Sequence, residues 1–149
     1  MAEVEIITKS EKQTEKTARI LAGEIQNNKK HKKQAEIIAL TGELGAGKTV
    51  FTRGFARGLG IKNRVFSPTF VLIKRHSLKN SYFENFYHID CYRIKKAKEI
   101  SDLGWKEIAK NPKNILVIEW ADKIKKILPK NSLKIQMKHK DRTKRIIIL

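Results

Sequence analysis

Eight consecutive residues, Gly42-Glu43-Leu44-Gly45-Ala46-Gly47-Lys48-Thr49, have the types and spacing to hold a chain of phosphates. They complete the pattern Gly-x-x-x-x-Gly-Lys-[Ser/Thr], the phosphate-binding loop. Glycine at 42, 45 and 47 lets the backbone take positive φ and turn its N–H groups inward, a nest at the positive end of a following helix. Lys48 can set a point charge on β- and γ-phosphates. The Thr49 hydroxyl is a hard oxygen ligand suited to Mg²⁺, which prefers octahedral oxygen sites shared with phosphate.

Such a loop needs carboxylates nearby, one at the metal and a group that orients the attacking water. Two apolar runs end in an acid: Tyr87-His88-Ile89-Asp90 and Ile115-Leu116-Val117-Ile118-Glu119. Asp90 and Glu119 are therefore the candidates for both roles, and spacing does not say which of them touches the metal. Thr69, just after Pro68, is a candidate for a switch-like hydroxyl that reaches the γ-phosphate or Mg²⁺; a plain turn threonine entering a strand is the alternative. Trp120 follows Glu119 directly and either borders the nucleotide or packs in the core.

The elements that must carry these residues can be read from periodicity. Ala35-Glu36-Ile37-Ile38-Ala39-Leu40 has the length and apolarity of a buried strand leading into the loop. Phe51, Phe55 and Leu59 then recur every four residues as the apolar stripe of a helix, with Gly60 at its C-terminal end. Before the loop, residues 4–8 read as a first strand. Ser10-Glu11-Lys12-Gln13 fits a capping box that opens a helix with Ala18, Leu21, Ala22 and Ile25 on one face, ending near Asn27-Asn28. Residues 71–76 and 82–90 read as paired strands around a polar turn. Residues 95–110 read as two short helices broken at Gly104, with Ile100, Leu103, Trp105 and Ile108 as buried candidates, and Asn111-Pro112 stops the second. A short basic helix is expected over 122–128. Leu133, Ile135 and Met137 alternate on one strand face, and residues 139–144 turn into a closing antiparallel strand at 145–149. The expected fold is α/β: one phosphate-loop domain over residues 1–149, a mixed sheet flanked by helices, with antiparallel hairpins.

Composition narrows the function classes. The chain has 149 residues, enough for one core covered on two faces. No apolar run approaches the roughly 18 residues that span a bilayer, and the acidic start lacks a signal core, so a cytoplasmic protein without membrane contact is expected. A single cysteine, Cys91, excludes an internal disulfide, and the histidines show no metal-ligand spacing with it. Net charge is 33 − 15 = +18. That excess suits nucleic acid, but lysines far outnumber arginines, isoleucine is also abundant, and charge alone speaks to solubility and non-specific attraction. The densest run, Lys29-Lys30-His31-Lys32-Lys33, reads as a solvated connection ahead of the loop strand.

Together these motifs resemble one family, the small bacterial phosphate-loop ATPases called TsaE or YjeE, over nearly the whole chain. The resemblance rests on Gly42 to Thr49, on Arg53-Gly54-Phe55, on Ser67-Pro68-Thr69-Phe70, and on Tyr87-His88-Ile89-Asp90-Cys91-Tyr92-Arg93. Asp102-Leu103-Gly104, Ile118-Glu119-Trp120 and Leu128-Pro129 complete it. It implies ATP hydrolysis with Mg²⁺, required for threonylcarbamoyl modification of adenosine 37 in tRNA, in complex with the TsaD-type and TsaB-type transfer proteins. Residue by residue, it implies that Lys48 and the loop amides hold phosphates and that Thr49 binds Mg²⁺. Glu119 and Asp90 form the metal and water-activating shell, Thr69 is the switch threonine, and Ser10 and Glu11 lie on the base side. The sequence departs from the family at Glu43, where Asp is frequent, and at Lys140-Asp141-Arg142, where a Gly-Arg pair is expected. Two other readings remain: a small-molecule kinase, which needs the same loop and a carboxylate base, and a non-catalytic tRNA adaptor that uses nucleotide as a structural ligand. No arginine stands obviously ready to stabilise transferred charge; Arg93, just after Asp90, is the nearest candidate, with in-chain packing as its other use, so weak hydrolysis without partners is expected.

Overall fold

The computed structural model describes residues 3–28, 32–62 and 72–149. Expectations that fall elsewhere, Thr69 and its neighbours Ser67, Pro68 and Phe70 together with Lys29, Lys30 and His31, lie outside the described residues.

Strands β1 (Glu5–Thr8), β2 (Glu36–Gly42), β3 (Ile73–Ser77), β4 (Asn85–Asp90), β5 (Asn114–Glu119), β6 (Leu133–His139) and β7 (Arg145–Ile148) form one seven-stranded sheet in the order β1-β7-β6-β2-β5-β4-β3. The four inner strands β6, β2, β5 and β4 are mutually parallel, while β3 and the β7–β1 pair close the edges antiparallel. This is the expected mixed α/β sheet with its hairpins. All six residues of β5 are buried, as a strand flanked by parallel neighbours requires.

Alternation along the central strands divides the core into two layers. Ile38, Leu40, Ile115, Val117, Phe86, Ile135 and Met137 pack beneath α1 (Glu11–Asn27) and α2 (Lys48–Gly58). Ile37, Ala39, Leu116, Ile118 and Ile89 pack beneath α3 (Lys98–Ser101) and α4 (Trp105–Lys110). The expected stripe Phe51, Phe55 and Leu59 is buried. α2 then ends in a Schellman motif: the N–H groups of Gly60 and Ile61 donate to the carbonyls of Arg57 (3.0 Å) and Ala56 (3.1 Å).

Helices α1 and α2 cross in close contact because small residues meet there. A Cβ on Gly54 would stand 2.3 Å from the Glu15 carbonyl oxygen, and one on Gly58 would stand 2.7 Å from the Ala22 Cβ. Beside this crossing, Arg53 Nε donates to Glu15 Oε1 at 2.8 Å and Arg57 Nη1 to Glu15 Oε2 at 3.1 Å. The entry to α1 is nearly a capping box: Gln13 N–H donates to Ser10 Oγ at 3.2 Å, but the Gln13 side chain accepts from Lys9 N–H at 2.7 Å, one residue earlier than the standard motif.

Three local expectations are corrected. Leu103 is 49% exposed. It sits between two helices too short to have a sustained face, so spacing carried no burial information there. The basic helix expected over 122–128 is a 3-10 turn, Ala121–Ile124. Its anchor is Ile124, fully buried, while the surrounding lysines stay outside. Ile108 is only partly buried against its layer. Among the described residues no helix is long and apolar enough to cross a membrane.

Candidate functional site

Because β2, β4, β5 and β6 run parallel, their C-terminal ends lie at one edge of the sheet, where ligands of open α/β folds collect. A cleft of about 690 Å³ opens there. It brings together Ser10 and Glu11 at the start of α1, Leu44, Gly45, Gly47, Lys48 and Thr49 of the loop, and the strand-end residues Asp90, Glu119 and Trp120. Gly42, Glu43 and Ala46 belong to the loop but do not line the cleft.

The loop has the backbone that its glycines were expected to supply. Gly42 has φ 145° and Gly47 φ 101°. A Cβ on Gly42 would stand 2.3 Å from the Met137 carbonyl oxygen of β6, and one on Gly47 would meet the Met137 Cε at 3.2 Å. The loop is thus pressed against the end of β6, where no side chain fits. His139 at the end of β6 adds a 3.2 Å contact from its Nε2 to the Leu44 carbonyl, and Leu44 itself is 71% exposed at the apex.

Lys48 is 5% exposed and folded into the loop. Its Nζ donates to the carbonyls of Gly42 (2.6 Å) and Glu43 (2.8 Å) and lies 4.0 Å from the centre of the Trp120 ring. Burial pushes its ammonium below the ordinary lysine range, opposed by the nearby charges of Glu119, Asp122, Asp90 and Glu43. Trp120 reaches this place through a left-handed backbone, φ 57° and ψ 42°, uncommon for a bulky residue. Such a conformation costs on the order of 1–3 kcal/mol, and here it turns the indole off the end of β5 and over the ammonium. Tyr92 packs against that indole with ring centres 5.1 Å apart.

The two candidate acids are in register. Asp90 of β4 pairs with Glu119 of β5, so both side chains leave the sheet on the α1–α2 side. Glu119 is 2% exposed. Thr49 Oγ1 donates to its Oε1 at 2.9 Å, and His88 Nε2 lies 2.5 Å from its Oε2. Asp90 is half-buried, and its Oδ1 accepts from the Tyr92 N–H at 2.9 Å. The strand ends are tied by the Cys91 N–H, which donates to the Glu119 carbonyl at 3.0 Å.

The fit of this site to a nucleotide with Mg²⁺ can be judged from its donors. Loop N–H groups, Lys48 and an α2 N-terminus suit phosphate, and the oxygens of Thr49, Glu119 and Asp90 suit a hard cation. No group of three or more His, Cys, Asp or Glu side chains among the described residues forms a cage for a metal.

Several cleft residues were not singled out from the sequence: Lys9, Thr14, Tyr92, Arg142, Thr143 and Arg145. Arg142 and Arg145 line the cleft, whereas Arg93, the candidate offered by the sequence, is not among its lining residues. They arrive through the β6–β7 hairpin, which stands beside the phosphate loop because β6 pairs parallel to β2. No local pattern carries that adjacency. The Lys140-Asp141-Arg142 segment closes this hairpin: Asp141 Oδ1 accepts from the N–H groups of Thr143 (2.9 Å) and Lys144 (2.8 Å), which lowers its carboxyl pKa.

Cys91, next to Asp90, is fully buried and its thiol is pushed up to about 12. Labelling by a thiol reagent near pH 8 is expected to be more than roughly tenfold slower in the native protein than in denaturant, since the thiolate is the reactive form. Equal rates in stopped-flow absorbance would mean that the end of β4 opens freely.

Known proteins resemble this chain along its length. The family model described as "Threonylcarbamoyl adenosine biosynthesis protein TsaE" matches residues 8–147. A protein named tRNA threonylcarbamoyladenosine biosynthesis protein TsaE from Rickettsia typhi is 36% identical over 138 residues, 92% of this chain and 88% of that one. Its namesake from Bacillus subtilis is 42% identical over 106 residues, 71% of this chain and 63% of that one. The crystal structure of Bacillus subtilis YdiB superposes with a TM-score of 0.75 at 30% identity, covering 99% of this chain and 84% of that one. With the phosphate loop, both strand-end acids and the C-terminal hairpin all inside the matched span, the chain belongs to the TsaE family.

Proposed function

We propose that this protein binds ATP with Mg²⁺ in the cleft and hydrolyses it, and that turnover drives the cycle of a tRNA threonylcarbamoyladenosine machinery. Family membership supports the pathway. The observation that carries the ATPase reading is the pairing of Thr49 with Glu119, Oγ1 to Oε1 at 2.9 Å, at the N-terminus of α2. A loop hydroxyl beside a buried strand-end carboxylate is the arrangement that phosphate-loop NTPases use at the metal.

In this reading the loop N–H groups and Lys48 bind the phosphates, which requires Lys48 to leave its carbonyl partners. Thr49, with Glu119 and Asp90 around it, would hold Mg²⁺, which neutralises charge on the phosphate oxygens. Glu119 already engages Thr49, so it would be the acid that helps hold the metal; Asp90, half-buried and beside it, would orient the attacking water. Ser10, Glu11 and Thr14 border the far side of the cleft, where the base and ribose would lie. Arg142 and Arg145 border it from the hairpin, but Arg145 Nη1 donates to the carbonyls of Asp141 (3.2 Å) and Lys144 (3.0 Å). Arg145 is thus spent on its own hairpin and not aimed at a phosphate, which agrees with slow turnover alone; acceleration by TsaD-type and TsaB-type proteins is part of the same proposal.

The test is phosphate release by the purified protein, alone and with the two transfer proteins of the same organism, with and without Mg²⁺. Mg²⁺-dependent release that rises on adding the partners is expected. ATP binding without release in either condition would overturn the ATPase reading. Transfer of phosphate to a small acceptor would favour a kinase, and nucleotide-independent, salt-sensitive tRNA binding would favour an adaptor.

A further inference from the structure

We propose that His88 is a positioning residue for the cleft chemistry: its Nε2–H holds Oε2 of Glu119 and thereby turns Oε1 toward Thr49. The proposal rests on the ATPase reading for its meaning, though part of its test does not need hydrolysis.

His88 stands on β4 two residues before Asp90, on the same face, and is completely buried. It is not among the residues that line the cleft. Its one polar contact among the described residues is to Glu119 Oε2, 2.5 Å away. A carboxylate oxygen accepts, so Nε2 is the donor. The other ring nitrogen, Nδ1, has no hydrogen-bond partner among the described residues.

That orphan nitrogen is the informative part. A buried polar atom left without a partner costs about 1–3 kcal/mol, and Phe86, the preceding residue on this face of β4, is apolar and fully buried. A leucine or phenylalanine would fill the space at no such cost. What an apolar side chain lacks is a donor for Glu119. The terminal torsion of a glutamate is broad and roughly two-fold, so a single bond from Thr49 leaves the carboxylate plane poorly fixed. A second donor on the opposite oxygen, from a ring locked in a packed sheet, fixes the plane and the direction of the lone pairs that Oε1 presents. Groups of this kind behind a ligand typically change metal affinity or activity by roughly 10- to 100-fold.

The experiment compares His88→Leu, His88→Gln and His88→Asn, each alone and combined with Glu119→Gln. A glutamine amide reaches the place of the imidazole Nε2, whereas an asparagine amide stops short of it. The first readout is steady-state phosphate release. The Leu and Asn variants are expected to lose about tenfold in kcat with KM for ATP within about twofold, and Gln to recover most of the loss. In the Glu119→Gln background the His88 changes should have no further effect. The second readout is Mg²⁺ titration of fluorescent ADP bound to the protein, where the Leu and Asn variants should need severalfold more Mg²⁺ for half-maximal response.

Several results overturn the proposal: unchanged kcat and Mg²⁺ response in Leu and Asn, an equal loss in Gln and Asn, or a loss undiminished when Glu119 is already Gln. Any of these makes His88 a packing residue. If His88→Leu does not fold, as judged by thermal melts, the Gln and Asn pair decides alone. If the wild-type protein binds nucleotide but releases no phosphate, the ATPase reading fails and the Mg²⁺ titration still scores His88. If Mg²⁺ has no influence on nucleotide binding in the wild type, both readings fall.

Discussion

Replacing Glu119 with glutamine is expected to lower ATP turnover by roughly 100-fold or more while nucleotide affinity stays within a few-fold, and Lys48→Ala is expected to do the reverse first, weakening binding itself. The asymmetry follows from what each side chain touches. Glu119 receives two donors, Thr49 Oγ1 at 2.9 Å and His88 Nε2 at 2.5 Å. A glutamine has only one acceptor oxygen and no charge, so one of these partners must turn to accept from its amide N–H₂, which re-aims the Thr49 hydroxyl or changes the His88 tautomer. The loop glycines, Lys48 and the α2 N-terminus are untouched by that change, so phosphate binding survives. In Lys48→Ala the loop loses its point charge and also the filler of its own interior, since Nζ bonds the Gly42 and Glu43 carbonyls. Isothermal titration with ADP and phosphate-release kinetics separate the two outcomes. Wild-type turnover in Glu119→Gln would remove this acid from the mechanism.

The largest expected effect on stability is at Gly54, far from any phosphate. An alanine Cβ there would lie 2.3 Å from the Glu15 carbonyl oxygen and 2.6 Å from the Glu15 Cα, both backbone atoms of α1 that cannot swing aside. Overpacking of a tight contact costs about 1–3 kcal/mol and sometimes more, and rigid backbone on both sides puts this site at the upper end. At roughly 2–4 °C per kcal/mol for chains of this size, Gly54→Ala should melt on the order of 10 °C lower. Gly23→Ala is the control. Nothing lies within 4 Å of a Cβ at Gly23 in the same helix pair, and removing a helix-interior glycine should raise stability by about 0.5–1 kcal/mol. If both variants melt alike, the close crossing of α1 and α2 does not bear on stability.

What the sequence revealed divides by distance along the chain. The phosphate loop, the strand before it and the helix after it are local features, and each was readable from glycine placement and periodicity. β5 was readable because its buried middle leaves the apolar run Ile115-Leu116-Val117-Ile118, without the alternation of a half-exposed strand. The alternation of Leu133, Ile135 and Met137 likewise announced β6. What could not be read was which strand β6 would join. Its parallel pairing with β2 places Arg142, Thr143 and Arg145 in the cleft, and nothing in the spacing between residues 42 and 145 encodes that neighbour relation. Leu103 failed for another reason: a four-residue helix has too few turns for hydrophobic spacing to define a face. The entry to α1 was visible from Ser10 and Gln13, whereas the placement of Lys9 and Thr14 at the cleft depends on where α1 lies over the sheet.

The register of β4 against β5, with Asp90 opposite Glu119 and His88 opposite Val117, carries a consequence for how the molecule must assemble. Side chains alternate faces, so a slip of one residue would send His88 and Asp90 to the α3–α4 side and bring Tyr87 and Ile89 to the other. A slip of two would keep the faces but set a histidine level with Glu119. Both errors would leave the strand count and the circular dichroism of a sheet almost unaltered. A misregistered population would therefore be nearly invisible to circular dichroism, and on the reading proposed above it would show itself as a fraction of molecules that bind no nucleotide, which active-site titration counts.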